Sequence, residues 1–349
     1  MQLDQHIMGC ILGTATGDAI GLPRERLGRK RARRLFGPSP LEHSLVCGRG
    51  LCSDDTEHTL MLAQALMEAG VDADRLAVAL ARRLRWWLIR IPAGVGFGTL
   101  RACVKLWLGF SPARSGVNSA GNGPAMRSAI LGLATADRLA MSRLVTTITR
   151  LTHTDPRAEQ GARVVATAAW LIRHESGMNS ETVAANLVEV AEDDELRSSL
   201  NAVVHALRRD EEATEYADSL WLSAGVTGFA NHTVPAAVYC WLRHRGDFRA
   251  AVEAAVKLGG DTDTVGAITG ALAGAELGPD AIPNTWLDRL IEWPCTIEWM
   301  RALASRLTIC LETNTRQYER LPAAGILIRN VLFTIIVLTH GIRRLLPPY

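Results

Sequence analysis

The amino-acid sequence predicts an all-α protein folded as a single large domain. Apolar residues recur at spacings of three and four along most of the chain, alanine and leucine are plentiful, and alternating β-branched runs are scarce. Glycines follow several of these segments, as is typical of helix C-termini. The segments predicted to be helical are Leu60–Ala69, Leu76–Leu88, Ala125–Ala136, Ala158–His174, Glu181–Ala191, Leu196–Ala206, Val234–Arg243, Phe248–Leu258, Thr264–Leu277, Trp286–Glu292 and Ile297–Leu307.

Length and composition exclude several other classes of protein. The chain has 349 residues, 48% of them hydrophobic and 21% charged, which is enough for a large core and too apolar for a disordered protein. The 38 basic and 36 acidic side chains leave a net charge of +2, which argues against a nucleic-acid partner. The seven cysteines form no Cys-x-x-Cys pair and are expected to be reduced thiols in a cytoplasmic protein. No feature of the sequence predicts an oligomeric state.

Neither end of the chain predicts a membrane anchor. Residues Met1–His6 lack the basic region of a signal peptide. The segment Gly325–Gly341 is apolar but contains Arg329 and Asn330. Its uninterrupted apolar run, Val331–Leu338, is far shorter than the roughly 18 residues that a spanning helix needs. We therefore predict no membrane span.

The order of predicted helices and loops along the chain also predicts the domain organisation. We expect one domain over residues 1–305 and a helical tail over residues 306–349 that packs on the domain or docks on a surface. The segment Pro92–Gly123 is rich in glycine, serine and proline and predicts a long functional loop. Three residues stand where helix N-caps would: Asp72, Ser180 and Thr233.

Two acidic clusters, Cys52–Glu57 and Gly259–Thr264, lie at predicted loop-to-helix junctions. Serine and aspartate are preferred N-caps, and acidic residues complement the helix dipole, so capping could account for the first cluster alone. Capping explains the second cluster less well, because one cap needs one side chain. In addition, Gly259 and Gly260 would let the backbone approach another group closely.

The functional alternative is a site for hard divalent cations. Carboxylates and hydroxyls at short spacing suit Mg²⁺ or Mn²⁺, which take oxygen ligands. Because a helix N-terminus disfavours a cation, several carboxylates would be needed, and four aspartates from two helix ends could hold two ions. An EF-hand is excluded, since a loop starting at Asp261 would need glutamate where Leu272 stands.

Four further features are candidates for the same site. Asp18 lies in an apolar segment and should accept hydrogen bonds from backbone donors of a neighbouring loop. Glu25 follows Pro23 in a predicted loop and is free to act as an acid or base. The segment Gly121–Gly123 could offer amides to a ribose or phosphate, although alone it indicates only a turn. The basic run Arg24–Arg34 predicts a solvated helix, or a surface that attracts a substrate diphosphate or an acidic partner.

In this order, the motifs resemble the ADP-ribosylglycohydrolase family, the group of the dinitrogenase reductase-activating glycohydrolase. The resemblance covers roughly residues 7–305 and leaves the tail outside. Each motif alone is weak, and their common order is the specific signal. The motifs are Gly17–Ala19 with Gly21–Glu25, Ser53–Thr56, Gly121–Gly123, Thr152–His153, and Leu258–Thr264 with Gly270–Ala275.

The resemblance implies an orthogonal helical domain with a two-metal cleft at helix N-termini. By motif match, the ligands of two divalent cations, Mg²⁺ or Mn²⁺, are Ser53, Asp54, Asp55, Asp261, Asp263 and Thr264. The expected catalytic residues are Glu25, which lies over the metals in the family, and Asp55. The expected substrate-binding residues are Gly121, Asn122, Gly123 and His153. For His153, capping of the helix after Asp155 is the structural alternative.

The function that the resemblance implies is hydrolysis of a glycosidic bond that releases ADP-ribose from an ADP-ribosylated protein or small molecule. One residue departs from the family pattern: arginine-directed members have an aspartate in an Asp-x-Gly motif where this chain has Gly94. The arginine linkage is therefore not implied. Two alternatives remain, a metal-dependent phosphohydrolase of a nucleotide-like substrate and a relative that binds ADP-ribose without cleaving it.

Overall fold

The computed structural model describes residues 1–175, 177–319 and 321–345. Within these ranges the secondary structure is helical, and strand pairing is limited to isolated bridges between loops. Short 3-10 turns lie at Leu22–Arg24, Ala125–Arg127 and Pro279–Ala281. The α-helices are α1 (Leu3–Gly21), α2 (Arg29–Phe36), α3 (Asp54–Ala69), α4 (Ala73–Leu88), α5 (Phe97–Trp107), α6 (Pro112–Ser115), α7 (Ala129–Ala134), α8 (Arg138–Arg150), α9 (Pro156–His174), α10 (Ser180–Val190), α11 (Asp194–Arg208), α12 (Ala213–Ser219), α13 (Ala230–Arg243), α14 (Phe248–Lys257), α15 (Thr262–Leu277), α16 (Asn284–Leu287), α17 (Ile297–Thr313) and α18 (Ala323–Arg343).

The predicted all-α class is confirmed, and several local predictions need correction. Asp72 caps α4 as predicted, by accepting from the Arg75 amide. Ser180 and Thr233 are not N-caps, because α10 is capped by Asn179 and α13 begins four residues earlier than expected. The segment Trp286–Glu292 is mostly irregular, since α16 ends at Leu287.

The segment Pro92–Gly123 is not one continuous loop, because it contains α5 and α6. Glycines at 94, 96 and 98 hide the start of α5 from a sequence analysis. The apolar spacing of Thr99, Ala102, Cys103 and Leu106, which are buried, places one face of this helix against the core. The two ends of the segment, near Gly94 and near Asn122, line the same cleft.

The centre of the domain is an unusually close contact between α1 and α15. A Cβ built on Gly13 would lie 2.1 Å from the Gly270 carbonyl oxygen, and one built on Gly17 would lie 2.0 Å from that of Gly266. The same relation holds between Gly9 and Gly274. Side chains larger than hydrogen would force these antiparallel helices apart. The contact therefore places the end of α1 beside the beginning of α15.

Helix α18 packs on the domain through buried polar side chains. The Arg329 guanidinium donates to Glu292 (2.7 Å) and to Glu57 (2.9 Å), and the side chains of Arg329 and Glu292 are each only 6% exposed. The Asn330 amide donates to the Arg90 carbonyl oxygen at 2.8 Å. The predicted boundary at residue 305 falls within α17, and the division into domain and tail stays a prediction.

By length and mean hydropathy, α18 could cross a membrane, which its short uninterrupted apolar run did not indicate. Only 28% of its most apolar 18-residue window is buried in the fold. The absence of a membrane span therefore stays a prediction. All seven cysteines are free thiols, as expected, and the cytoplasmic location inferred from them likewise stays a prediction.

Candidate active site

The first acidic cluster lies at the N-terminus of α3 and is held there by Asp18 of α1. Both carboxylate oxygens of Asp18 accept from the Ser53 amide, at 3.1 and 2.9 Å, and one also accepts from the Thr56 amide and hydroxyl. This is the predicted structural role of Asp18. Its burial raises its pKa to about 7 in spite of these donors, which favour the charged form. Asp18 thus positions the loop that carries the candidate ligands.

Ser53 has the capping role that its residue type predicts. Its hydroxyl accepts from the Asp55 amide at 3.3 Å and caps α3, and it also donates to Asp55 Oδ2 at 3.0 Å. From the second cluster, the Thr264 hydroxyl donates to the same Asp55 oxygen at 3.3 Å. The two clusters, more than 200 residues apart in the sequence, therefore meet at Asp55.

The second cluster is not a cap. Asp261 precedes α15, but its side chain makes no capping hydrogen bond to the helix. Its Oδ2 instead accepts from the Asn122 amide at 2.6 Å. Gly259 and Gly260 have φ angles of +72° and +79°, and a Cβ on Gly260 would lie 2.0 Å from the Val226 carbonyl oxygen. The two glycines let this loop approach its neighbours, as the sequence indicated.

The acidic side chains raise one another's pKa. Burial is the largest cause for Asp54, Asp55 and Asp263, and it moves the pKa of each well above the ordinary range. The negative charges of neighbouring acids add to this effect: Asp18 and Asp54 act on Asp55, and Glu25 and Asp261 act on Asp263. Such a group of buried like charges is costly unless a cation or protons neutralise it.

The donor set fits a divalent cation. Asp55 and Asp263 are each about 95% buried or more, and each has one carboxylate oxygen, Oδ1, without a hydrogen-bond partner in the described structure. Buried polar atoms are normally paired, so these two oxygens are available as ligands. Hard oxygen donors of this kind suit Mg²⁺ or Mn²⁺. Among the described residues, however, no three acidic, histidine or cysteine side chains are already drawn together as a ligand group.

The cleft in front of these carboxylates has a volume of about 400 Å³, within the range of small-molecule sites. The predicted cradle Gly121–Gly123 lines this cleft. Within the cradle, the Asn122 side chain donates a hydrogen bond to Asp261 of the second acidic cluster. The backbone N–H of Asn122 donates to the Gly228 carbonyl oxygen at 3.0 Å. The cradle and the second acidic cluster are therefore one connected unit.

His153 lines the same cleft, and its neighbours define which ring nitrogen carries the proton. Arg127, which can only donate, donates to the Thr152 hydroxyl oxygen at 2.8 Å. The Thr152 hydroxyl lies 2.9 Å from His153 Nδ1 and 3.5 Å from the Thr149 carbonyl oxygen, so His153 Nδ1 is the closer acceptor for its hydrogen. His153 Nδ1 is then the acceptor and Nε2 carries the hydrogen, close to Gly98, where a built Cβ would lie 2.8 Å from Nε2. This donor suits a ribose or phosphate oxygen, and the helix cap is Asp155 instead.

Glu25 lies at the rim of the cleft, with its side chain 27% exposed. Burial raises its pKa, the nearby Arg26 opposes this shift, and Asp261 adds to it. Arg26 pairs with Glu25 at 3.1 Å, and its amide donates to the Gly260 carbonyl oxygen at 2.6 Å. The loop that carries Glu25 is thus tied to the second acidic cluster while its carboxyl group still reaches solvent.

Part of the cleft was not predicted from the sequence. The lining residues that the sequence analysis missed are Val226–Gly228 and Met126, whereas Phe97 and Thr99 fall within the predicted segment Pro92–Gly123. The one sequence signal for Val226–Gly228 was its two glycines, Gly225 directly before it and Gly228 at its end. A larger cavity of about 460 Å³ lies on the other side of α3, but its acids Glu57 and Glu292 are already paired with Arg329. That cavity is not the candidate metal site.

The buried state of His153 predicts a pH effect on stability. Burial, with a smaller contribution from Arg127, lowers its pKa to about 3, against about 6.5 in an unfolded chain. Below pH 6.5 the unfolded chain binds a proton that the folded chain does not, so the stability is lost as the pH falls. Each bound proton lowers the free energy of unfolding by about 1.36 kcal/mol per pH unit. We therefore expect the free energy of unfolding to fall less in His153→Gln than in the wild type between pH 6.5 and 5.0, by up to about 2 kcal/mol.

Urea unfolding of the EDTA-treated protein at the two pH values measures this difference. The matched control is His205→Gln on α11, because His205 is exposed and should leave the pH dependence of the wild type unchanged. Equal pH dependence in the wild type and His153→Gln would contradict the neutral, buried state of His153.

Fold and site together define a class: an all-α hydrolase whose cleft combines acidic helix N-termini with a glycine-rich cradle. The sequence profile of the ADP-ribosylglycohydrolase family matches residues 1–317, and the chain belongs to this family. It is an ADP-ribosylglycohydrolase-type hydrolase, as the resemblance of the motifs implied.

Three comparisons show how close the likeness is. An uncharacterised protein of Archaeoglobus fulgidus is 30% identical over 87% of this chain and 96% of its own length. The ADP-ribosyl-[dinitrogen reductase] glycohydrolase of Rhodospirillum rubrum is 27% identical over 81% of this chain and 89% of its own length. A solved structure titled ADP-ribosylglycohydrolase-related protein complex superimposes with a TM-score of 0.66 at 30% identity, covering 88% of this chain and 98% of that one.

Proposed function

We propose that this hydrolase releases ADP-ribose from an ADP-ribosylated protein or small molecule, and that it needs two divalent cations, Mg²⁺ or Mn²⁺. The observation that carries the proposal is the pair of buried, unpartnered oxygens, Asp55 Oδ1 and Asp263 Oδ1, which face a cleft of suitable size. The side chains proposed to hold the cations are Ser53, Asp54, Asp55, Asp261, Asp263 and Thr264.

In the proposed reaction, the bond between the anomeric carbon and the acceptor's nitrogen or oxygen breaks. A water oxygen bonds to the anomeric carbon, one water proton goes to the protein, and the departing acceptor gains a proton. The transition state resembles an oxocarbenium ion, as in other glycoside hydrolyses. When bound, the cations would supply orientation of the ribose hydroxyls and a lowered pKa for a bound water.

The residues of the chain have distinct parts in this reaction. Glu25 reaches solvent at the rim and burial raises its pKa, which makes it a better proton acceptor than an ordinary carboxylate, so we assign it the water proton, with Asp55 as the alternative acceptor. Asn122 holds Asp261 in place through its 2.6 Å hydrogen bond. His153 donates its Nε2 hydrogen to a ribose or phosphate oxygen of the substrate.

The test is a panel of ADP-ribosylated conjugates, incubated with Mg²⁺ or Mn²⁺ and with EDTA, and analysed by mass spectrometry. We expect free ADP-ribose from at least one conjugate in the presence of metal and none with EDTA. Release of AMP or inorganic phosphate would instead identify a phosphohydrolase. Tight binding of ADP-ribose without release from any conjugate would identify a non-catalytic relative.

We further propose that the acceptor is not arginine, because of Gly94. This residue lines the cleft with a φ of +82°, and a Cβ built on it would lie 3.7 Å from Asp54 Oδ1. An aspartate here would thus add a carboxylate beside the acidic cluster, where the cationic guanidinium of an arginine conjugate could pair with it. The chain lacks this group, and its cleft favours a neutral acceptor such as a hydroxyl.

We therefore expect Gly94→Asp to raise kcat/KM for an arginine-linked conjugate by about 10-fold to 100-fold, the range of a hydrogen bond to a charged group. The matched control is Gly94→Asn, since asparagine has the same shape and tolerates positive φ equally well but carries no charge. Equal effects of the two substitutions, or a wild type that prefers arginine conjugates, would contradict the proposed acceptor.

A further inference from the structure

Helix α18 has two faces of different character. Its inner face is attached to the domain by the Arg329 ion pairs, by the Asn330 hydrogen bond to the Arg90 carbonyl oxygen, and by a contact of 3.1 Å between His340 Nε2 and the Pro23 carbonyl oxygen. Phe333 is buried between these polar contacts. The helix is thus attached along its whole length and cannot leave the domain without breaking buried ion pairs.

The outer face is apolar and exposed. Side chains at spacings of three and four are exposed by 43% to 64%. The stripe runs from residue 328 to residue 342 of this helix, a length of about 21 Å. Residues 321–345 contain no aspartate or glutamate. The stripe consists of Ile328, Val331, Leu332, Ile335, Leu338 and Ile342.

The two ends of α18 contact different side chains of the domain. Near the N-terminus of α18, half-exposed Trp293 packs so closely on Gly325 that a Cβ there would lie 3.0 Å from its ring. At the C-terminus, Phe36 of α2 stacks on His340 with ring centroids 5.6 Å apart. This contact places the basic helix α2, with exposed Lys30 and Arg33, beside the C-terminal end of α18.

We propose that this surface, α18 with its border of α2 and Trp293, binds the surface of an anionic lipid membrane with α18 lying parallel to it. An apolar stripe with a tryptophan at one end and several cations at the other has the composition of an interfacial helix. Charge argues for anionic lipid as the partner, because residues 321–345 contain no aspartate or glutamate and the cations Lys30, Arg33 and Arg343 are exposed at the C-terminal end of α18. The Arg329 ion pairs keep the inner face on the domain, so the helix lies on the membrane and does not span it.

The test is sedimentation of the full-length protein with sucrose-loaded vesicles. We expect the wild type to pellet with phosphatidylcholine vesicles that contain about one third phosphatidylglycerol, and to stay in the supernatant with phosphatidylcholine alone. The double substitution Ile335→Ser and Leu338→Ser should lower the partition coefficient at least 10-fold. Arg33→Gln should lower it by about fivefold at low salt and by less at high salt.

The matched control is Leu139→Ser, because Leu139 is 62% exposed on α8 and lies outside the stripe. All variants change exposed side chains, and unchanged thermal unfolding would verify that they fold. Three results would overturn the proposal: equal sedimentation of the wild type and the double variant, a lipid-free dimer that the double variant abolishes in ultracentrifugation, or vesicle-bound protein that resists extraction by alkaline carbonate.

Discussion

Asp263→Asn is expected to lower kcat for ADP-ribose release by at least about 100-fold. The substitution keeps the shape of the side chain but removes one of the two buried carboxylates that have an unpartnered oxygen. A catalytic metal supplies several kcal/mol of transition-state stabilisation, and each 1.36 kcal/mol corresponds to a factor of ten in rate. Saturating Mn²⁺ should not restore the wild-type rate, because the ligand charge is gone.

The same variant should be more stable than the wild type once metal is removed by EDTA. Burial and the charges of Glu25 and Asp261 raise the pKa of Asp263, which means that its ionised form destabilises the fold. Removing that charge relieves the repulsion. Urea unfolding in EDTA measures the gain in stability, and kinetics in the presence of metal measure the loss of kcat. A merely structural aspartate would lose both activity and stability, so opposite signs in the two experiments identify a ligand.

The matched control is Asp72→Asn. Asp72 caps α4 on the surface by accepting from the Arg75 amide, and asparagine is an equally good N-cap. This variant should keep wild-type activity and stability in both experiments. Full activity of Asp263→Asn with Mg²⁺ would contradict the assignment of Asp263 as a ligand.

Gly13→Ala is expected to destabilise the protein by about 3 kcal/mol, the upper end of the usual range for overpacking a core. The added Cβ would lie 2.1 Å from the Gly270 carbonyl oxygen and 3.3 Å from the Phe248 ring. The first contact involves the backbone of α15, so no side-chain rotation can relieve it. The helices must separate, and other apolar contacts between α1 and α15 are lost.

The matched control is Gly341→Ala, which also replaces a helical glycine. A Cβ at Gly341 would have no atom within 4 Å, so this variant should be neutral or slightly more stable because alanine has the higher helix propensity. The midpoint of urea unfolding measures both variants. A loss smaller than about 1 kcal/mol for Gly13→Ala would contradict the close helix contact that brings the two acidic clusters together.

Much of the site could be predicted because its residues come from short motifs with a chemical reason for each residue type. Asp18 in an apolar segment had to find backbone donors, and it finds them at Ser53 and Thr56. The two glycines before Asp261 indicated that the backbone there lies too close to another group for a side chain, and Gly260 does lie against the backbone of Val226. Such arguments depend only on the local cost of burial or of positive φ.

The remaining features depend on tertiary contacts that periodicity does not encode. The hydrogen bond from Asn122 to Asp261 joins segments 139 residues apart, and neither motif alone indicates its partner. Arg329 was an argument against a membrane span, whereas the structure pairs it with Glu57 and Glu292 of the domain. Helix α5 was missed because the glycines before it resemble a loop.

The central claim is that the N-termini of α3 and α15 together hold two divalent cations. The most direct test is an anomalous difference map from a crystal of the protein grown with Mn²⁺. We predict two peaks between Asp55 and Asp263, with the carboxylate oxygens of both clusters directed toward them. A map without peaks at this position, at a Mn²⁺ concentration that supports ADP-ribose release, would contradict the account.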